Sequence, residues 1–440
     1  MLWFVLACAT KVVPVPQLQM GSPAPKTQAP TGESSPSTFG NLDCGLTVGF
    51  QKVDERYVDA LRTPEGAVIV ATEAVKGSYE ATLAFSLQDQ GIDWHSILGA
   101  GSDEDTPASL SQVADGYIIG GTTWSHGAGM SDGWITKLDT SGKVKWQRTY
   151  GLYDRDLGLG FAPIGDGGLF VTNVPDYGLV VQQLDELGGE TAQVGLVGAY
   201  KGMAMAPLSD GALIFGGVEK DGGVSGRILR LDGSGNTSWK LDLGADSSVT
   251  YAMPNGSMGF VAAVAGATPR LSFVDASGTL TNSALLPPEL EGLSIVGGVR
   301  SALGPLWVGQ AEDGSRAVQM NDEGDVVWSQ TLAQIAIQDA LPSGDKMLFL
   351  GNGQGASSQD FFGIYLDAGT GASVCVPETV IEQAVDGEPV DVDGEPVDGE
   401  SGEGGSLGEP NAEMEGEATP AEAVAPTAPE PVSEKAAPEE

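Results

Sequence analysis

Seven times along the chain a glycine turn is followed at once by a dense apolar run. These are "PEGAVIVAT" around Gly66, "ADGYIIGGT" around Gly116, "GDGGLFVTN" around Gly167, "SDGALIFGG" around Gly211, "PNGSMGFVA" around Gly256, "ALGPLWVGQ" around Gly304 and "PSGDKMLFL" around Gly344. Short apolar runs bounded by turn signals predict strands buried on both faces, with no alternation between a wet and a dry side. A second marker interleaves with the first. In "LDTSGKVKW" Asp139 opens a turn and Gly142 closes it, the residue logic of a type I turn followed by a glycine bulge that joins two strands. It returns at Asp232 to Gly235 and at Asn321 to Gly324, with weaker copies ending at Gly91, Gly188, Gly278 and Gly371. From Gly142 to Gly371 the spacing is 43 to 47 residues.

Each unit therefore predicts strand, turn, apolar strand, longer hairpin, strand, glycine turn, strand. A period of roughly 40 to 50 residues with four strands per unit marks a β-propeller, in which a blade too small to bury its own faces packs on its neighbours around an axis. The expected fold is all-β: a seven-bladed β-propeller of four-stranded antiparallel blades over residues 44–377, with buried inner strands starting near the seven glycines of the first marker. Trp94, Trp146, Trp239 and Trp328, on the fourth strands, have the bulk to wedge between blades.

The spacing of Asp139, Gly142 and Trp146, of Asp232, Gly235 and Trp239, and of Asn321, Gly324 and Trp328 resembles the quinoprotein-like (PQQ-like) propeller repeats. Their tryptophan docking motif places an acidic or amide residue, a Gly three later and a Trp about four beyond. Quinone-dependent dehydrogenases of that repeat class set a vicinal Cys pair against the cofactor and hold calcium with converging carboxylates. Here Cys8, Cys44 and Cys375 are far apart, so the resemblance implies the fold and no quinone, and no cofactor or metal site is expected.

Composition changes the picture at the two ends. The first residues, "MLWFVLACAT", are too short an apolar run to span a bilayer, which needs about 20 residues, but Val5, Leu6 and Ala7 before Cys8 resemble a bacterial lipobox. That resemblance implies a signal over residues 1–8, acylation of Cys8 and a chain tethered outside the cytoplasm at an outer membrane. Residues 9–43 are Pro-rich and predict a disordered tether. Residues 378–440 predict an acidic disordered tail, in which "VDGEPVDVDGEPVDGE" repeats a seven-residue unit without the EF-hand order. The net charge of −39 includes nineteen acids against one Lys in residues 376–440, and leaves about −21 for the residues between the two ends. So acidic a body repels phosphate backbones and anionic headgroups, which argues against nucleic-acid binding and limits membrane contact to the anchor.

Catalytic patterns are weak. "GGSLG" around Ser406 lies in the tail, "GNGQGA" at 351–356 lacks a following helix, and His95 and His126 are too few for a multi-histidine zinc site. The expected function is a non-enzymatic envelope lipoprotein whose monomeric propeller binds or scaffolds an envelope protein or ligand; the alternative is an enzyme using carboxylates in the central channel. With Cys8 taken by lipid, Cys44 and Cys375 form an even pair, placed where a disulfide between the first strand and the last would close the ring.

Overall fold

The computed structural model describes residues 46–50, 54–76, 79–88, 91–98, 105–124, 130–151, 155–174, 178–220, 222–256, 259–311, 314–333, 335–354, 359–374 and 379–383. Cys8, Cys44, Cys375, His126, Ser406 and the segments 1–43 and 384–440 lie outside the described residues. Among those described, the regular elements are all β-strands.

After β1 (Leu46–Phe50) the chain builds blades in sequence. Blade one is β2 (Asp54–Arg62), β3 (Val68–Lys76), β4 (Tyr79–Gln88) and β5 (Gly91–Leu98); blade two is β6 (Asp105–Val113), β7 (Gly116–Thr123), β8 (Asp132–Leu138) and β9 (Val144–Tyr150). Blade three is β10 (Leu157–Ile164), β11 (Gly167–Val174), β12 (Gly178–Leu184) and β13 (Glu190–Val197); blade four is β14 (Tyr200–Leu208), β15 (Gly211–Lys220), β16 (Gly223–Asp232) and β17 (Thr237–Ala245). Blade five is β18 (Ser247–Pro254), β19 (Phe260–Gly266), β20 (Arg270–Val274) and β21 (Leu280–Leu285); blade six is β22 (Ser294–Ser301), β23 (Gly304–Ala311), β24 (Gly314–Met320) and β25 (Val326–Ala333). The seventh holds β26 (Ile335–Ser343), β27 (Lys346–Gln354) and β28 (Gln359–Asp367), then β1, then β29 (Thr379–Gln383) on the outside.

The first strand of each blade packs against the first strands of both neighbours, and β2 meets β26, so seven first strands line the axis and the ring is closed. The apolar strands expected as inner strands are accordingly second from the axis. Their unbroken apolar pattern has a simple cause: each face belongs to a different interface. Tyr117 and Ile119 of β7 pack toward blade one, while Ile118 packs toward blade three. Val68 and Val70 of β3 pack toward blade seven, while Ile69 and Ala71 pack toward blade two. The core is thus seven wedge-shaped apolar layers between sheets, in which side chains such as Trp134, Trp307, Phe170 and Phe349 are fully buried, each worth about 1.5–3 kcal/mol.

The seventh blade takes in both ends of the ring. β1 pairs antiparallel with β28 through Leu46–Gly363, Thr47–Phe362 and Val48–Phe361, and the Val374 N–H bonds the Tyr365 carbonyl on the same edge. β29 then runs parallel to β1 on its far side. Both chain ends therefore share one blade, as a ring without a covalent seam requires.

Candidate functional site

The glycine turns behave as their residues dictate. Gly142, Gly235 and Gly324 have φ of +79°, +80° and +94°, and each turn shifts the register of the following strand by one residue. Asp139 Oδ1 accepts the Ser141 and Lys143 N–H groups at 2.9 and 3.0 Å, Asp232 Oδ1 those of Ser234 and Asn236 at 2.9 and 3.0 Å, and Asn321 Oδ1 that of Asp325 at 2.7 Å. Within one motif the glycine N–H closes the turn on the first residue's carbonyl, Gly142 to Asp139 at 3.0 Å, Gly235 to Asp232 at 2.9 Å and Gly324 to Asn321 at 3.2 Å, while the Trp serves another interface. Each Trp reaches forward to the next blade's turn: Trp94 lies against Gly142, Trp146 against Gly188, Trp239 against Gly278 and Trp328 against Gly371. Only glycine leaves room for a ring there, since a β-carbon on Gly142 would stand 2.2 Å from Trp94 Cε3. Gly235 faces Val181 instead, and Gly324 faces open space, because β13 and β21 carry no Trp.

Three of these docked rings are locked. The indole N–H donates to a turn carbonyl from Trp146 to Glu186 (3.2 Å), from Trp239 to Ala276 (3.1 Å) and from Trp328 to Ala368 (3.1 Å). Trp94 makes no equivalent bond among the described residues, and beside it the interface of blades one and two opens into a cavity of about 280 Å³. Trp94 and Tyr117 stand in one wall with ring centroids 5.9 Å apart. Glu65, from the first turn of blade one, and Asp93, from β5, supply two exposed carboxylates; Gln88 Nε2 donates to Asp93 Oδ2 at 3.3 Å. Thr63 and Ser86 line it as buried residues, 5% and 2% exposed, and Thr63 Oγ1 has no hydrogen-bond partner. Burial first, then the charges of Glu65 and Asp93, raise the Tyr117 phenol above its ordinary value.

A second concentration of ionisable groups lies on the axis. Every first strand breaks register once, and the residue after the break is Asp59 in blade one, Tyr251 in blade five and Asp339 in blade seven. Asp59 Oδ1 accepts the Ala60 N–H at 2.8 Å and Oδ2 the Leu110 N–H of blade two at 2.6 Å. Asp339 Oδ1 accepts the Ala340 N–H at 2.7 Å, and Oδ2 the Tyr57 hydroxyl of blade one at 2.9 Å. Burial, then repulsion from Asp339, lifts Asp59 to about 7, against the pull of its two N–H donors. Burial lifts Asp339 to about 6. The phenols of Tyr57 and Tyr251 rise for the same two reasons, burial and then these carboxylates, which places all four groups within one electrostatic cluster.

Nothing in the sequence pattern singled out Asp59, Asp339, Glu65 or Asp93. Aligning the first strands would have revealed one signal, since "DAL" follows the break in both Asp-bearing strands, at 59–61 and 339–341, and in no other. His95 sits in β5 with its imidazole held below its usual range by burial, and no group of three or more metal-ligating side chains occurs among the described residues.

No family model matches the chain, and no curated protein matches it. Among solved structures it is similar to the RRP9 WD40 repeats, at 13% identity over 73% of this chain and 96% of that one, with a TM-score of 0.50. It is similar to Sqt1 of Chaetomium thermophilum at 10% identity over 74% and 98%, TM-score 0.48, and to the acylaminoacyl peptidase of Pyrococcus horikoshii at 10% over 70% and 50%, TM-score 0.43. Likeness at such identity speaks for the fold alone, and the fold is a seven-bladed β-propeller.

Proposed function

We propose that this chain is a cell-envelope lipoprotein of the quinoprotein-like repeat type, whose propeller is a non-enzymatic binding module that meets its partner with the face carrying the turns. The observation that carries the reading is the opened interface of blades one and two. A docking Trp that is sealed elsewhere is left there beside a cavity lined by rings, hydroxyls and carboxylates, the mixed lining of a recognition pocket. The surrounding face supports it: Glu65, Asp115, Asp166, Asp210 and Asp345 stand in five of the seven turns between first and second strands. The apolar start ending at Cys8 and the Pro-rich residues 9–43 suit a tether.

Acid–base catalysis by Asp59 and Asp339 is the second reading, favoured by their raised protonation range. Each of their four oxygens already accepts a hydrogen bond from within the ring, and we take them as ties between blades.

The test has two arms. Cys8→Ser should move the protein from the membrane to the soluble fraction; a variant that still pellets rejects the anchor. A photo-crosslinking residue at Thr140, on the turn face, should give a discrete adduct in intact cells, and one at Lys220, at the other end of its blade, should not. Equal labelling from both positions rejects the turn face as the binding face.

A further inference from the structure

Building on the binding reading, we propose that the cavity between blades one and two is a recognition site for an alkylammonium group, carried either by a small amine or by the lysine side chain of a partner. Its lining divides as such a ligand would require. A primary ammonium brings a compact charge, up to three N–H donors and an apolar stem. Glu65 and Asp93 supply the counter-charge at the rim, and the faces of Trp94 and Tyr117 attract a cation while covering the stem. The hydroxyl of Thr63, buried and without a partner, and that of Ser86 offer acceptors at depth. Thr63 is the independent sign of a ligand: a buried hydroxyl left unbonded forfeits its hydration without replacement, and its backbone is fully used, with N–H to the Ala67 carbonyl at 2.8 Å and carbonyl to the Gly66 N–H at 3.0 Å.

The equivalent corner of blades four and five shows what the site differs from. There Trp239 packs on Phe260 at 5.8 Å, a ring without a hydroxyl in place of Tyr117, and the indole N–H is committed to the Ala276 carbonyl. Across the strand from Trp239 stands Arg230, ion-paired to Asp210 at 2.7 Å. The same position beside Trp94 holds the small Ser86, and among the described residues no cationic side chain lines the cavity with Glu65 and Asp93.

The experiment uses the full chain with n-butylammonium, 1-butanol and Nα-acetyl-lysine amide as probes, titrated by calorimetry and ligand-observed NMR at low ionic strength. n-Butylammonium should bind at least tenfold more tightly than 1-butanol, and Glu65→Gln with Asp93→Asn should abolish that preference. Thr63→Val should weaken the amine at least threefold while leaving the melting temperature unchanged or higher, since the substitution removes an unbonded hydroxyl and keeps the shape. Binding of acetyl-lysine amide alongside the free amine assigns the site to a protein lysine; its exclusion assigns the site to small amines. Equal affinity for butanol, or amine affinity untouched by the Glu65 and Asp93 substitutions, overturns the proposal. Adducts at Thr140 in cells with no amine affinity would overturn it while leaving the binding face standing.

Discussion

Asp339→Asn is the substitution that most directly interrogates the axis of the ring. A carboxyl whose range is raised by folding stabilises the protein fully below its unfolded value and loses that contribution as pH rises through the folded one, because the unfolded chain releases its proton first. Asp59 and Asp339, ordinarily near 3.8, titrate in the fold at about 7 and about 6. At about 1.36 kcal/mol per pK unit, the pair costs roughly 4 kcal/mol of stability between pH 5 and pH 8. Asp115 and Asp242 are shifted the other way, chiefly by hydrogen bonds from Lys137 and Arg227. Their contribution is lost only as pH falls through the folded range of each, below its ordinary value, so it does not mask the effect. His95, held below its ordinary 6.5 by burial, opposes it by losing stability as pH falls through that value, and His95→Gln removes this opposing group from both proteins compared. Asn is a clean replacement at 339: its oxygen can keep the Ala340 N–H, and its amide can donate to the Tyr57 hydroxyl. The wild type should therefore melt several degrees higher at pH 5.5 than at pH 8, given about 1–2 °C per kcal/mol for a fold of this size. In Asp339→Asn that difference should shrink by about half, both by removal of one group and by relief of Asp59. A wild type that gains stability from pH 5.5 to pH 8, or a variant with an unchanged profile, would refute the reasoning.

Gly142→Ala and Gly324→Ala share the backbone requirement, with φ of +79° and +94°, but only the first meets a docked ring. By denaturant titration Gly324→Ala should cost about 1 kcal/mol and Gly142→Ala about 3 kcal/mol; equal costs would remove Trp94 as the source of the difference. For the cysteine pair, β1 starts at Leu46 opposite Gly363, and the Val374 N–H bonds the Tyr365 carbonyl on the same edge of β28, so the described flanks of Cys44 and Cys375 occupy neighbouring positions along one strand edge. Peptide mapping of the oxidised protein should find them joined, a bridge worth roughly 5 kcal/mol in the chain-entropy model, and two free thiols in the unreduced, denatured protein would reject it.

The legible part of this molecule is what each unit must repeat. A second strand packed on two neighbours must be apolar on both faces, so seven such strands announced seven interfaces, and Asp139, Asp232 and Asn321 marked hairpins because side-chain capping and positive φ are local requirements. What a blade does to the next blade was hidden. Trp146 and Gly142 lie four residues apart in the chain yet serve different interfaces, and Trp94 reads like its three counterparts although it alone flanks the cavity. Glu65 and Asp93 come together because the turn after β2 and the start of β5 lie at one end of blade one, and Thr140 is brought to them by the rotation to blade two, relations that no spacing expresses.

Ring closure explains why the exceptions gather around blade one. Six interfaces join units made in succession; the seventh joins the last blade to the first, with β1 of blade seven ending at Phe50 and β2 of blade one starting at Asp54. Side-chain hydrogen bonds among the described residues cross that seam over very long sequence separations, including Tyr57 N–H to Asn352 Oδ1 at 2.7 Å, Tyr57 hydroxyl to Asp339 at 2.9 Å, and Arg62 to the Ser343 hydroxyl at 2.8 Å. Asp339 thus belongs both to the seam and to the strained carboxyl pair, so ionisation should loosen the ring where it was closed. Amide exchange, corrected for intrinsic rate, should show β2 and β26 better protected at pH 5.5 than at pH 8, while β11 and β15, on the far side of the ring, change little. A uniform change across all blades would mean that the carboxyl pair governs only global unfolding; a change confined to the seam would make blade seven and blade one the first elements to part, because β26 and β2 meet there across almost the whole propeller sequence.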